Sequence, residues 1–416
     1  MTSLTQRAVG LMSTGAGIAV AMGLMNAAHY AFTMVAARLL GPGQYGAMAA
    51  VMNLLLVISV GALGLQATAA RRISAHPENV AQIEAAMLRI VWRFAVGLGL
   101  VLLLLAPAVD RVLKLDNLSL AVMVAVAAVP LTLVGGYAGI LQGERRWLAL
   151  GLVYMSGGTR LVLGLALLSW RADVEVAFLA VALGAFAPVV LGRFILRGVR
   201  TTGARSNAHT TAAILRETLY NSQALLAFFA LSNVDVIVAR NTLDAHDAGL
   251  YAAGLILAKM MTFLPQFVVV VAFPAMASAA ERTRALTKSL LGVVALGIAC
   301  TTAVALLSPT VLFLVGGEEF AEIRDDLWVF TLLGTALALL QLVIYSVLAR
   351  QGRRSSYAVW AAFAAMVVGG LATDSLGALL TWVVLVDSAL LVLLVGVSYY
   401  LLRAPRSNGT PASALV

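Results

Sequence analysis

The sequence predicts an all-α integral membrane protein that crosses the bilayer about twelve times. Three observations carry this. Of the 416 residues, 62% are apolar and only 11% charged, with a mean hydropathy of +0.97. A soluble globular domain holds roughly 25% charge and 45–50% apolar residues, so no soluble core could hide this much apolar surface. The apolar residues come in runs of about 20, the length a helix needs to cross the hydrocarbon core. Basic and acidic residues are sorted into alternate connecting loops, as membrane topology requires.

The predicted spans cover about 10–37, 46–70, 90–109, 118–141, 147–170 and 174–196 in the first half of the chain. After a polar stretch they cover about 220–243, 248–279, 289–315, 327–349, 356–374 and 376–402. Span one follows Met1–Val9 with no clear small-residue cleavage site, so it reads as a retained helix and not a removed signal. The stretch from Pro77 to Arg89 is amphipathic, with Val80, Ile83 and Met87 near one face, and reads as an interface helix or a plain connector. Ala212 to Leu219 resembles a short lead-in to span seven. Span eleven is short and runs into span twelve through Thr373-Asp374-Ser375. Pro130, Pro188, Pro265 and Pro274 each remove a backbone donor and can bend spans four, six and eight. The expected division is a six-helix bundle over 1–200, a connector over 201–219, a second bundle over 220–402 and a tail over 403–416.

Loop charge sets the expected orientation. Loops after even-numbered spans hold Arg71, Arg72, Arg145, Arg146, Arg197, Arg200, Arg282, Arg353 and Arg354, and the tails add Arg7, Arg403 and Arg406. Loops after odd-numbered spans hold most of the acids, among them Asp110, Asp116, Asp173, Asp244, Asp247, Glu318, Glu319 and Asp374. Lysine and arginine stay on the cytoplasmic side, so both termini and all even loops are expected there.

Several function classes drop out. The net charge of +9 lies in short loops between spans, which is a topology signal and not a nucleic-acid surface. The one cysteine, Cys300, sits in an apolar segment and suits a buried inert thiol. No phosphate-cradling glycine loop precedes a Lys-Ser or Lys-Thr, so ATP hydrolysis is not expected. No His, Cys and acid cluster has metal-ligand spacing, and no nucleophile has a convincing base, so neither a cofactor nor an enzyme activity is expected.

The chain carries an internal repeat. Val35 to Ala50 (VAARLLGPGQYGAMAA) matches Ile237 to Ala253 (IVARNTLDAHDAGLYAA), pairing Arg38 with Arg240 and Gly46 with Gly249. The copies lie about 200 residues apart, and six spans per half keep both halves in the same orientation. The stretch Ala37 to Gly46 resembles the hallmark of bacterial polysaccharide-repeat flippases, part of the multidrug/oligosaccharidyl-lipid/polysaccharide exporter (MOP) superfamily. Asn233-Val-Asp235, Ala248 to Ala253, Lys259, Leu264-Pro265, Phe273-Pro274 and Gly316 to Phe320 are similar to the same family. The resemblance implies two six-helix bundles facing a central cavity, alternating access, and a lipid-linked sugar as cargo. The sequence stops at span twelve, without the two extra helices of the lipid II flippases, which argues against peptidoglycan precursor as cargo.

Charges at membrane depth are costly and usually face a cavity or a partner. Arg160 lies near the middle of span five beside Gly157, Gly158 and Gly164, with no acid on a sequence neighbour. It is the leading candidate to hold an anionic headgroup, because guanidinium binds phosphate in a bidentate way. Asp235 in span seven and Lys259 in span eight lie at depths that differ by about 5 Å, so a buried pair is expected, either static or switching. Asp387 in span twelve is a further buried carboxylate. Asn26, His29 and Asn53 add polar surface, and with Arg38, Lys259 and Arg160 they complete the candidate cargo contacts. Arg38 and Arg240 lie near the outer span ends, where snorkelling anchors compete with ligand contact as a reading. Gln66, Gln223 and Gln266 suit interhelical hydrogen bonds.

These residues and the resemblance together predict a bacterial plasma-membrane flippase, monomeric, moving a polyprenyl-diphosphate-linked oligosaccharide. Its partners would be that anionic lipid-linked glycan, membrane lipid, and a glycan polymerase and glycosyltransferases. Two alternatives are a cation-coupled multidrug exporter of the same superfamily, with Asp235 and Asp387 carrying protons or sodium, and a non-transporting partner of a glycan assembly system. A membrane polymerase or glycosyltransferase would need a large external loop that the sequence lacks.

Overall fold

The computed structural model describes residues 15–197, 210–263, 282–348 and 353–403. Among them the regular elements are all helical, with no strand. Among the described residues nine helices are long and apolar enough to cross a membrane, and Tyr357–Gly370 is a shorter apolar helix. The protein is a multi-pass membrane protein.

The largest of the nine, Val20–Ala75, holds 56 residues. At 1.5 Å per residue it would measure roughly 84 Å if straight, far more than the roughly 30 Å hydrocarbon core. It is not straight. Helix α1 (Gly15–Ile58) breaks at Gly41, whose φ of 67° and ψ of 173° belong to a region that only glycine enters cheaply, and Pro42 follows. Residues 15–40 thus form span one. Residues 42–58 with α2 (Val60–Ala75) form span two.

Helix α3 (Val80–Leu104) continues through Leu105 into the short α4 (Ala106–Leu113), and α5 (Leu118–Gly143) returns. The sequence reading of Pro77–Arg89 needs correction here. Pro77–Asn79 is one 3₁₀ turn, and Val80 onward belongs to the span itself. Ile83 and Met87 are fully buried in a core with Leu65 and Tyr137, so their face meets protein and not the membrane interface. Helix α5 keeps Pro130 inside an unbroken run and packs on α2 through small residues. A Cβ on Gly139 would lie 2.6 Å from the Gln66 carbonyl oxygen, and one on Gly135 2.7 Å from that of Ala62. Such close backbone approach is how helices pack where lipid supplies no hydrophobic drive.

Span five is two helices, α6 (Trp147–Ser156) and α7 (Thr159–Trp170), joined at Gly157-Gly158. Span six is α8 (Val174–Gly184) and α9 (Phe186–Ile195), joined at Ala185 with Pro188 just beyond. Helix α10 (Thr211–Thr242) includes the expected lead-in as its first turns. Helix α11 (Ala245–Met261) begins span eight; Pro265, Gln266 and Pro274 lie outside the described residues. Then come α12 (Arg282–Leu306), α13 (Ser308–Val315), a 3₁₀ helix (Glu318–Asp326), α14 (Leu327–Leu348), α15 (Arg353–Gly370) and α16 (Leu376–Arg403).

One buried core runs through both halves, from Phe32 and Met48 to Tyr251, Phe330 and Leu379. Large apolar side chains such as Leu104, Val162, Trp170 and Leu306 are exposed around it. On a chain of this composition they form the surface that hydrocarbon covers.

Candidate functional site

Two groups of wholly or partly buried polar side chains lie at membrane depth, one in each half. The first is built on spans one, five and six. The glycine pair that interrupts span five starts α7, and Arg160 is its second residue. Glycine at 184 lets span six approach closely: a Cβ there would lie 2.8 Å from the Arg160 Cα. Thr159 Oγ1 donates to the carbonyls of Ser156 at 2.9 Å and Gly184 at 3.2 Å, which ties the interruption to span six. Span one brings His29 and Tyr30, and both feel the Arg160 charge. The Arg160 Nε and the His29 Nδ1 are buried without a hydrogen-bond partner among the described residues. Buried polar atoms are nearly always paired, so two orphans in one group of spans mark a place where a ligand or water completes the bonding. Asn26 lies half-buried one turn before His29 on the same span.

The second group is built on spans seven, eight and twelve. Asp235 is 3% exposed and Asp387 2% exposed. Asp235 accepts from Tyr251 Oη at 3.0 Å and from the Val236 amide at 3.0 Å. Lys259 donates to Asn233 Oδ1 at 3.1 Å and to the Ser232 carbonyl. The expected contact between Asp235 and Lys259 is therefore not a direct salt bridge. Each takes polar partners from its neighbour's surroundings, and the two charges act on each other through space, as Asp387 does on both. The Asp387 Oδ1 has no partner among the described residues. The reason for the indirect pairing is geometric. Tyr251 stands between the spans and occupies Asp235, while the Ser232 carbonyl and the Asn233 amide capture the ammonium one turn deeper.

The halves meet where Tyr30 packs edge-to-face on Phe263 at 5.6 Å, and Phe263 follows Lys259 by one helical turn. Tyr30, Tyr251 and Phe263 were not among the residues the sequence singled out for the site. Tyr30 stood next to His29 and Tyr251 within the repeat, which were the available signals. Asn53 is 9% exposed, and its Nδ2 donates to the Ala49 carbonyl at 2.8 Å within its own helix. Gln66 makes the interhelical bonds expected of it, to Gln142 Oε1 at 3.0 Å and Tyr154 Oη at 2.8 Å, and Gln223 is exposed.

Arg38 and Arg240 lie away from both groups, at the loops that follow odd-numbered spans. The Arg38 guanidinium sits 4.1 Å over the Phe313 ring. Arg240 Nε donates to the Leu113 carbonyl at 3.2 Å, and its Nη2 donates to that of Lys114. On the same face, partial burial and the charge of nearby Asp244 push the Asp247 carboxyl above the usual carboxylate range.

Residues 14–280 match the family model described as polysaccharide biosynthesis protein. The chain is also similar in structure to solved transporters. An inward-facing multidrug resistance MATE family transporter of the MOP superfamily overlays with a TM-score of 0.72 at 16% identity, covering 92% of this chain and 94% of that one. A eukaryotic MATE transporter overlays at 0.68 with 12% identity, covering 95% of each chain. A MOP superfamily transporter from Pyrococcus furiosus, whose binding pocket is reported to have reverse polarity, overlays at 0.62 with 16% identity and 95% of each chain covered. At such identities the likeness establishes the fold, a two-lobed helical bundle. No curated protein matches the chain significantly.

Proposed function

Because the chain belongs to the polysaccharide biosynthesis protein family and has the fold of MOP superfamily transporters, we propose that it flips a polyprenyl-diphosphate-linked oligosaccharide across the bacterial plasma membrane by alternating access. The observation that carries this reading is Arg160. A cation at mid-membrane depth, with its Nε unpartnered and an unpartnered His29 nitrogen in the same group of spans, suits a diphosphate brought in from one leaflet. A fixed guanidinium can grip phosphate oxygens in parallel bonds, and a dry surround strengthens each of them. Asn26, His29, Asn53 and Lys259 would contact the rest of the headgroup and the sugars. Residues 1–200 and 220–402 are the two moving bundles, joined by the 201–219 connector, with both termini cytoplasmic.

The Asp235, Lys259 and Asp387 group is read as the switch. It holds two carboxylates against one ammonium, with one carboxylate oxygen unpartnered, so its charge balance leaves room for a proton or a cation. The same observation favours a second reading, a cation-coupled multidrug exporter, and one structural neighbour is named a multidrug resistance transporter.

The test uses cells whose surface glycan depends on this protein, with membrane insertion checked by immunoblot. Arg160→Ala should abolish polymer at the surface, and Arg160→Lys should restore only part of it, because an ammonium cannot grip a diphosphate in the bidentate way. Full activity in Arg160→Ala would overturn the cargo assignment. Dye efflux that survives in that variant but fails in Asp387→Asn would favour the exporter.

A further inference from the structure

We propose that Arg38 and Arg240, the matching arginines of the internal repeat, are the two arms of a latch that closes the odd-loop face of the protein. The proposal rests on the alternating-access reading above, but not on the identity of the cargo.

Each arginine reaches out of its own half. Arg38 ends span one, and its guanidinium lies over Phe313 in the second half, beside Gly317. Arg240 ends span seven, and its guanidinium caps the carbonyls of Leu113 and Lys114 in the first half. The receiving elements also match. Helices α4 (Ala106–Leu113) and α13 (Ser308–Val315) have 8 residues each, each begins with a proline in its first turn, and each follows an interruption at leucine, Leu105 or Leu307. Each ends in a left-handed backbone residue just beyond, Lys114 at φ 47° and Gly317 at φ 86°. The free carbonyls at the end of α4 carry partial negative charge, which is why the Arg240 guanidinium settles there. Lys114 returns the contact by donating to the Asn241 carbonyl at 2.9 Å, and Asn241 Nδ2 donates to Val112 at 2.7 Å.

Between the two arms the repeat segments touch backbone to backbone. A Cβ on Gly46 would lie 3.0 Å from the Gly249 amide nitrogen, and one on Gly249 would lie 1.8 Å from the Pro42 carbonyl oxygen. Tyr45 meets Phe320 edge-on at 6.4 Å, and His246 bonds Glu322 at 3.1 Å. The three motif segments, 37–46, 248–253 and 316–320, therefore assemble into one seam with no room for a sugar. The polar groups of both halves lie below it. A lipid-linked glycan cannot leave on this side until the seam parts, and parting must break both arginine contacts, because each crosses the halves. The arms differ in strength. Arg240 is 8% exposed and bonds two carbonyls, whereas Arg38 is exposed and holds an aromatic face. Arg38 is thus the arm that releases first.

The experiment measures the distance between the halves on this face in the full-length protein, reconstituted in lipid. Spin labels go on Ser169→Cys, in the last turn of α7, and Asp374→Cys, in the loop after span eleven, exposed positions on the odd-loop face of opposite halves, in a Cys300→Ser background. Arg38→Ala should raise the long-distance fraction about two- to fivefold, the loss of one exposed cation–π contact. Phe313→Leu should do the same and add nothing to Arg38→Ala, while Arg38→Lys should stay near the parent. Arg240→Lys, which keeps the charge but loses the paired donors, should also favour the long distance. An unchanged distribution in Arg38→Ala and Phe313→Leu overturns the latch. These distances need no cargo. A latch that opens as expected in a protein that moves no glycan would refute the cargo assignment and leave the latch standing.

Discussion

Asp235, Lys259 and Asp387 share one neighbourhood that sets two carboxyl groups against one amine. This makes the three substitutions unequal. Lys259→Met leaves two carboxylates without a counter-charge and should destabilise the fold by about 3–5 kcal/mol, the cost of breaking a buried pair. Asp235→Asn leaves one carboxylate with one ammonium and keeps an acceptor for Tyr251, so its cost should be smaller. Adding Asp235→Asn to Lys259→Met removes both members of the facing pair and should recover much of the loss. Thermal unfolding of the detergent-solubilised variants ranks them; an Asp235→Asn variant less stable than Lys259→Met would show that charge balance is not what holds this group. If the group is the switch, the repaired double variant will insert and melt normally yet transport nothing. Sequence could place the three charges in the membrane, because a lone charge in an apolar run stands out. It could not show that Tyr251 and Asn233 come between them, because that depends on how far spans seven and eight are rotated about their axes.

At the scale of elements, the turn between spans one and two rests on a single residue. Gly41 has φ 67° and ψ 173°, and a Cβ on it would lie 2.7 Å from Glu319 Oε2. Gly41→Ala should therefore cost about 1–3 kcal/mol through backbone strain alone. Gly43, two residues on, has helical surroundings and open space where a Cβ would point. Gly43→Ala should be neutral, or stabilising by up to about 1 kcal/mol from helix propensity. Melting temperatures of the two variants check this, and equal effects would mean that the Gly41 conformation is not required. Hydropathy revealed where the helices run, since about 20 apolar residues admit few other structures in lipid. It misplaced the Pro77–Arg89 segment because an amphipathic face buried on protein has the same pattern as one lying on a membrane. Ile83 and Met87 face Leu65 and Tyr137, and only the packing of span three on spans two and four reveals that. The repeat was legible as matched residues. That Gly46 and Gly249 touch each other was not, because local pattern carries no record of which surface meets a segment about 200 residues away.

Across the whole molecule the two faces differ in how the halves are tied. The odd-loop face is closed by backbone contact and the two arginines. On the even-loop face, Arg72 pairs with Glu217 at 2.7 Å and Arg71 pairs with the same carboxylate, joining the end of span two to the lead-in of span seven. The Arg71 contact is exposed and contributes at most about 1 kcal/mol, whereas Arg72 and Glu217 are largely covered. Their sign also bears on orientation. The even loops carry the arginines that resist translocation, and moving one of them through the bilayer centre costs about 2.5–3.5 kcal/mol even on insertion scales. Several such loops would have to cross together in an inverted protein, so a single orientation is expected, with even loops in the cytoplasm. Single cysteines at Ser206, in the basic connector outside the described residues, and at the exposed Glu319 test this in a Cys300→Ser background. A membrane-impermeant maleimide added to cells with a permeabilised outer envelope should label the Glu319→Cys protein and leave Ser206→Cys unlabelled until the inner membrane is opened. Equal labelling of both would end the orientation argument. With it would go the assignment of the arginine latch to the side from which a flipped glycan departs.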